Sequence, residues 1–153
     1  MLNHSKHRQK HNSEGFLIET SFQDTLRILF VDDNHSFLRV SKLILEMKNN
    51  FEVDTVASVD EALNKMETKT YDAVVSDYQM PMKNGSDLLK QLKQEKNKVP
   101  FIFFTCHETL EVEFKTSEIQ PDRCMCKNGS PEVVFYELAE AIYKTVESRK
   151  QKP

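Results

Sequence analysis

The chain has 153 residues, a formal net charge of −3, and 39% hydrophobic and 29% charged residues. This length suits one domain with a proper core, and no apolar run reaches the roughly 18 residues of a membrane-spanning helix. Residues 26–148 carry 15 basic and 21 acidic side chains, so nucleic acid is not expected as a direct partner, because phosphate binding needs a basic face. The polar N-terminus lacks the apolar core of a signal peptide, and we expect a cytoplasmic protein.

The first part of the domain is predicted to contain two strands separated by a helix. A mostly apolar run of strand length occurs at 26–31 (LRILFV), and residues 51–56 (FEVDTV) show the alternation of an edge strand. Between them, apolar residues recur near the 3.6-residue period of a helix, at Phe37, Val40, Ile44 and Met47. Ser58 followed by Glu61 forms a capping box, which predicts a helix over 59–68.

The second part of the domain continues this alternation. Three more strands are predicted, at 71–76 (YDAVVS), 101–105 (FIFFT) and 123–126 (RCMC). Three helices are predicted to follow them, at about 87–95, 108–118 and 131–148. Ser86 is expected to cap the first of these helices, and the pair Ser130–Pro131 is typical of a helix start.

Five strands that alternate with five helices imply a parallel sheet with helices on both faces. The predicted fold class is therefore α/β, a doubly wound, flavodoxin-like sheet of five parallel strands in the order 2-1-3-4-5. In this order a ligand binds beyond the carboxyl ends of the strands, at the switch between strands 1 and 3. We expect a domain over 26–148, a flexible N-terminal tail over 1–25 and a basic C-terminal tail over 149–153.

Polar residues follow four of the predicted strands at this rim. They are Asp32 and Asp33, Asp77, Thr105, and Lys127. Each alone has an ordinary structural explanation, such as a helix cap, a turn or a solvated loop lysine. Together, three converging carboxylates repel one another unless positive charge lies among them. Mg²⁺ prefers such oxygen ligands, and a metal with an ammonium and a hydroxyl is suited to phosphoryl transfer, in which an aspartate can be the acceptor.

The motifs LFVDD, VVSDYQMPMKNG, FIFFT and CK resemble those of the response-regulator receiver domain of two-component signalling, over roughly residues 26–148. The run KNGSP after the fifth strand is similar to a branch common in archaeal sensory systems. The resemblance implies that a partner histidine kinase phosphorylates Asp77. It also implies that Asp33 and Asp77 ligate Mg²⁺ directly, that Asp32 acts through water, and that the backbone carbonyl of Gln79 completes the protein's ligands.

The resemblance also implies how the phosphorylated state is read. Thr105 would turn its hydroxyl toward the phosphoryl group, and Lys127 would pair with Asp77 before phosphorylation and with the phosphoryl oxygens after it. The face of the fourth helix, fifth strand and fifth helix would then bind a downstream protein or a phosphotransfer protein. These properties describe a signalling module rather than an enzyme, and we expect a receiver without an output domain; dimerisation is left open.

Two departures from the family pattern and two residues that flank the site leave alternatives open. Cys124 occupies the usual position of an aromatic switch residue, which keeps a phosphorylation-independent scaffold in consideration. Asn128 and Gly129 replace the usual proline after the lysine, and Gly129 is expected to supply a positive φ. Gln79 and His107 flank the site and are expected to set the lifetime of the phosphoryl group. A small Mg²⁺-dependent phosphatase is disfavoured, because Gln79 cannot protonate a leaving group.

Overall fold

The computed structural model describes residues 8–11, 17–20, 24–106 and 118–151. The described strands are β1 (Arg8–His11), β2 (Leu17–Thr20), β3 (Leu26–Val31), β4 (Phe51–Val56), β5 (Ala73–Ser76), β6 (Phe101–Thr105) and β7 (Arg123–Cys126). The described helices are α1 (His35–Lys48), α2 (Val59–Thr68), α3 (Gly85–Gln94) and α4 (Pro131–Lys150). Within these ranges, no helix combines the length and the apolarity needed to cross a bilayer.

A five-stranded parallel sheet in the order β4-β3-β5-β6-β7 forms the centre of the domain. In the sequential numbering of these five strands, this is the predicted order 2-1-3-4-5. The predicted doubly wound α/β fold is therefore confirmed. The chain reverses its direction of travel across the sheet between β3 and β5, and the carboxyl ends of both strands lie at this switch point.

The sheet is buried on both faces by helices. Along β3, Ile28 and Phe30 point into one apolar cluster, which α1 and α4 cover. Leu29 and Val31 point into a second cluster on the opposite face, which α2 and α3 cover. Successive side chains of a strand alternate between faces, so the unbroken apolar run ILFV at 28–31 contributes to both clusters at once.

Most predicted boundaries are confirmed, but α3 begins earlier than expected. Its N-cap is Asn84 rather than Ser86, and the Asp87 carboxylate accepts a hydrogen bond of 2.8 Å from the Asn84 backbone N–H. Gly85 is the first helical residue, and a Cβ there would lie 2.8 Å from the Phe103 ring and closer still to the Asp77 backbone oxygen. Because glycine has no Cβ, the start of α3 can lie close against the sheet.

The two outer helices of one face differ in how well the sequence indicates their buried side. In α4, the residues predicted at four-residue steps are all buried; they are Val134, Leu138, Ile142 and Val146. In α1, the 3.6-residue period predicts the helix correctly, yet Val40 is 49% and Met47 73% exposed. The fully buried residues of this helix are Leu38, Ser41 and Leu45. Apolar residues cover more than one face of α1, so the period alone does not identify the buried face.

Two predicted segments are tested only in part or not at all. Within the predicted tail 1–25, β1 and β2 pair as a separate antiparallel sheet that the sequence did not predict. The predicted helix at 108–118 lies almost entirely outside the described residues. The tails and the domain boundaries stay predictions.

Candidate functional site

The carboxyl ends of β3, β5, β6 and β7 bring the predicted site residues to one rim of the sheet. Backbone hydrogen bonds extend the parallel pairing into the residues that follow the strands. The N–H of Asp77 donates to Val31 at 2.8 Å, and the N–H of Lys127 donates to Thr105 at 2.9 Å. The Asp32 N–H likewise donates a hydrogen bond of 3.1 Å to the carbonyl of Val56. The sheet therefore fixes the backbone of each site residue.

Three carboxylates converge at this rim. Asp32, Asp33 and Asp77 each offer an oxygen, and these oxygens lie within 4.8 Å of one another. Asp32 is only 1% exposed, whereas Asp33 is open to solvent. A set of carboxylate oxygens with one open side fits a hard divalent cation that retains some of its water, as Mg²⁺ does. The donor set therefore agrees with the predicted magnesium site.

The Lys127 ammonium lies between two of these carboxylates. Its Nζ is 2.6 Å from Asp32 Oδ2 and 3.4 Å from Asp77 Oδ2. The sequence predicted pairing with Asp77, and the shorter of the two ion pairs is in fact with Asp32. Burial accounts for the shorter pair, because a carboxylate that has lost its water needs a close positive partner.

The Asp77 carboxylate is held by several groups at once. Its Oδ1 accepts a hydrogen bond of 2.8 Å from the Tyr78 backbone N–H. Burial raises the pKa of Asp77, and the negative charge of Asp32 raises it further. The Lys127 charge and hydrogen bonds from Tyr78 and the Thr105 hydroxyl lower the pKa, but they offset the effect of burial only in part. Asp77 is thus a partly desolvated carboxylate that accepts hydrogen bonds from the Tyr78 N–H and the Thr105 hydroxyl.

Asn34, rather than either aspartate, caps the helix that follows β3. Its Oδ1 accepts a hydrogen bond of 3.0 Å from the Phe37 N–H. Asp32 Oδ1 instead accepts a hydrogen bond of 2.9 Å from the Asn34 N–H. The structural explanation of Asp32 and Asp33 as helix caps is therefore wrong. Both carboxylates remain available to the cluster at the rim.

Two aromatic rings near the site lysine were not predicted from the sequence. The Lys127 Nζ lies 4.5 Å from the centre of the Phe37 ring and 5.9 Å from that of Phe104. The helical period included Phe37, but periodicity alone does not say which face of α1 meets a residue that lies 90 positions later. Only the packing of α1 against the sheet reveals this contact.

The remaining predicted residues lie near the rim with less defined roles. Gln79 is exposed in the loop after β5, and its backbone carbonyl as a metal ligand stays a prediction. Cys124 is partly buried on β7 opposite Phe103, which confirms its place on the strand that leads to Lys127. Gly129 has a φ of 125°, as expected. His107 lies outside the described residues.

Known proteins resemble this chain in sequence and in fold. A family model described as the response regulator receiver domain matches residues 28–139. The chain is 32% identical over 108 residues to the alkaline phosphatase synthesis transcriptional regulatory protein PhoP of Bacillus subtilis, covering 71% of this chain and 45% of PhoP. It is 31% identical over 87 residues to the response regulator SaeR of Staphylococcus aureus, covering 54% of this chain and 37% of SaeR.

Solved structures agree with this result. The response regulator TrrA of Thermotoga maritima, solved in complex with Mg(2+)-BeF, superimposes with a TM-score of 0.68 and 28% identity, covering 78% of this chain and 98% of TrrA. The chain spans less than half the length of the two curated relatives named above. Because the family model matches most of the chain and the sheet has the expected order, this protein belongs to the response regulator receiver domain family.

Proposed function

We propose that Asp77 accepts a phosphoryl group from a phosphohistidine of a partner kinase, in a reaction that uses Mg²⁺. The main support is the convergence of Asp77 with Asp32 and Asp33, whose oxygens lie within 4.8 Å of one another, beside the Lys127 ammonium. Such a cluster combines a nucleophilic carboxylate, oxygen ligands for a hard cation and a fixed positive charge.

The proposed transfer is a single displacement at phosphorus. A carboxylate oxygen of Asp77 attacks, a P–O bond forms as the P–N bond to the donor histidine breaks, and the bonding electron pair leaves on the imidazole nitrogen. Lys127 lowers the pKa of Asp77 against the effect of burial, which favours the ionised nucleophile. The Lys127 ammonium and the Thr105 hydroxyl then bind the new phosphoryl oxygens.

The proposed metal ligands are those that the family resemblance implies. Asp33, Asp77 and the backbone carbonyl of Gln79 bind Mg²⁺ directly, and Asp32 acts through water. The bound cation would offset the negative charge of the transferring phosphoryl oxygens. The complex of TrrA with Mg(2+)-BeF supports a magnesium-dependent site in this chain.

The proposed partners are a histidine kinase and a downstream protein target or phosphotransfer protein. A groove of about 730 Å³ runs between β7 and α4, and its walls carry both signs of charge, with Arg123 and Lys144 near Glu137 and Glu140. Mixed charge of this kind suits a protein partner, because nucleic acid needs a uniformly basic face. Dimerisation, a cytoplasmic location, an archaeal branch and action without an output domain stay predictions.

Intact mass tests the proposed function. We expect the wild-type protein, incubated with a small acyl phosphate and Mg²⁺, to gain the mass of one phosphoryl group, and Asp77→Asn to gain none. Asp60→Asn is the matched control, because Asp60 is an exposed carboxylate that pairs with Lys83 rather than with the cluster. Removing Mg²⁺ with a chelator should abolish the adduct in both phosphorylatable proteins.

Each contrary result points to a different error. A wild-type protein without an adduct would contradict the phosphoacceptor function and favour a phosphorylation-independent scaffold. An adduct that persists in Asp77→Asn would contradict the assignment of the acceptor. Continuous hydrolysis of a generic phosphomonoester would favour the phosphatase alternative.

A further inference from the structure

The Lys127 ammonium lies over an aromatic ring as well as beside its two carboxylate partners. Its Nζ lies 4.5 Å from the centre of the Phe37 ring, and only 13% of the side chain is exposed. A cation above the face of an aromatic ring is attracted by the electron-rich face, and the attraction grows when water is excluded. The ring therefore contributes to where the ammonium group lies.

The Phe37 ring is itself held in place. Its backbone N–H donates to the cap residue Asn34, so the residue lies in the first turn of α1. Ring centres of Phe30, Phe104 and Phe135 lie 6.0 to 6.1 Å from that of Phe37. These aromatic neighbours leave the ring little freedom to tilt or withdraw.

We propose that Phe37 is a positioning residue, which holds the Lys127 ammonium at the carboxylate cluster. A lysine side chain has several rotatable bonds, and ordering it is entropically costly. The ion pairs with Asp32 and Asp77 are compatible with more than one rotamer of the lysine side chain, and the contact with the Phe37 ring favours the observed one. In the proposed phosphotransfer reaction, on which this role depends, Phe37 keeps the charge within reach of the phosphoryl oxygens.

The position of Lys127 is measured first, without any reaction. In protein labelled at the lysine ε-carbons, with the Lys127 signal assigned from Lys127→Arg, the ring current of Phe37 should shift the Lys127 ε-protons upfield of those of exposed lysines. The shift should be largely lost in Phe37→Leu, because the remaining Phe104 ring is farther away, 5.9 Å from Nζ, and it should be retained in Phe37→Tyr. Phe135→Leu is the matched control, since Phe135 packs against Phe37 but is not among the rings found over Lys127.

The phosphorylation rate is measured next, with a small acyl phosphate and saturating Mg²⁺. Loss of the cation–π contact in Phe37→Leu should slow the reaction roughly 2- to 30-fold, and Phe37→Tyr should stay within about twofold of wild type. Ring-fluorinated phenylalanines at Phe37 keep the shape but withdraw electron density from the face. The rate should fall stepwise with fluorine content while the melting temperature changes little.

The two measurements separate the possible failures. An unshifted Lys127 signal in wild type would overturn the contact and with it the positioning role. A rate that does not change with the fluorine content of the ring would reduce Phe37 to a packing residue and overturn the proposal. If wild type forms no adduct, the proposed function fails, and the positioning of Lys127 is then decided by its proton shifts alone.

Discussion

Gly85→Ala should destabilise the fold, although alanine is usually the better residue in a helix. Gly85 is the first residue of α3 and lies against the end of β5. An added Cβ would lie 2.8 Å from the Phe103 ring, 3.0 Å from the Ser76 hydroxyl oxygen and nearest of all to the Asp77 backbone oxygen. Since the nearest atom belongs to the backbone, no change of rotamer can relieve the contact, and α3 must move away from the sheet.

The expected size of the effect follows from two opposing contributions. Overpacking of a tight site costs about 1–3 kcal/mol, and a rigid backbone contact belongs at the upper end. Replacing glycine in a helix returns at most about 1 kcal/mol, and less at the first position. We expect the free energy of unfolding to fall by about 2 kcal/mol, which lowers the melting temperature by roughly 4–8 °C.

Thermal unfolding followed by circular dichroism measures this change. Ser86→Ala is the matched control, because residue 86 already carries a Cβ in the same turn of α3, and its melting temperature should stay within about 2 °C of wild type. A Gly85→Ala variant that melts at or above the wild-type temperature would refute the close-approach argument. The Gly85→Ala variant should also be phosphorylated more slowly, since the added methyl group contacts the backbone of Asp77.

Three further predictions concern a strained loop, an acid-sensitive ion pair and the site lysine. Met82 has a φ of 71°, so Met82→Gly should raise the free energy of unfolding by up to about 1 kcal/mol in urea titrations; a loss would contradict the strain. Burial raises the pKa of Asp122, but hydrogen bonds from Arg149 and the Phe101 N–H outweigh burial and hold the pKa below its usual value. The stabilisation from these bonds is therefore present above about pH 4 and is lost as the pH falls further. In Asp122→Asn, the free energy of unfolding should depend less steeply on pH below about 4, and an unchanged slope would contradict the pairing. Lys127→Met removes the cation from the carboxylates, so added MgCl₂ should raise its melting temperature more than that of wild type, and an equal rise would contradict the ion pairs.

The sequence was sufficient for the sheet because its signals are local. Runs such as LRILFV and FIFFT are long enough for a strand and too short for most helices, and each is followed by polar or turn residues. Once the strands are parallel, their carboxyl ends must meet at one rim. The convergence of Asp32, Asp77 and Lys127 therefore follows from strand order alone, without any knowledge of side-chain packing.

The sequence failed where two local choices were equally good. Asn84 and Ser86 are both favourable caps, and the contact of Gly85 with the neighbouring strands decides between them. Likewise, apolar residues cover more than one face of α1, so periodicity does not show that the ring of Phe37 lies against Lys127. Both outcomes depend on contacts between segments far apart in the chain, which propensity and periodicity do not report.

Mapping the phosphorylated residue tests the central claim most directly. Borohydride reduces an aspartyl phosphate to homoserine, and cleavage after lysine releases residues 70–83 as a peptide that contains both Asp72 and Asp77. Homoserine is expected at position 77 alone, and only when acyl phosphate and Mg²⁺ were both present. Homoserine at position 72, at Asp32 or at Asp33, or an unmodified position 77 in a protein that carries the phosphoryl mass, would contradict it.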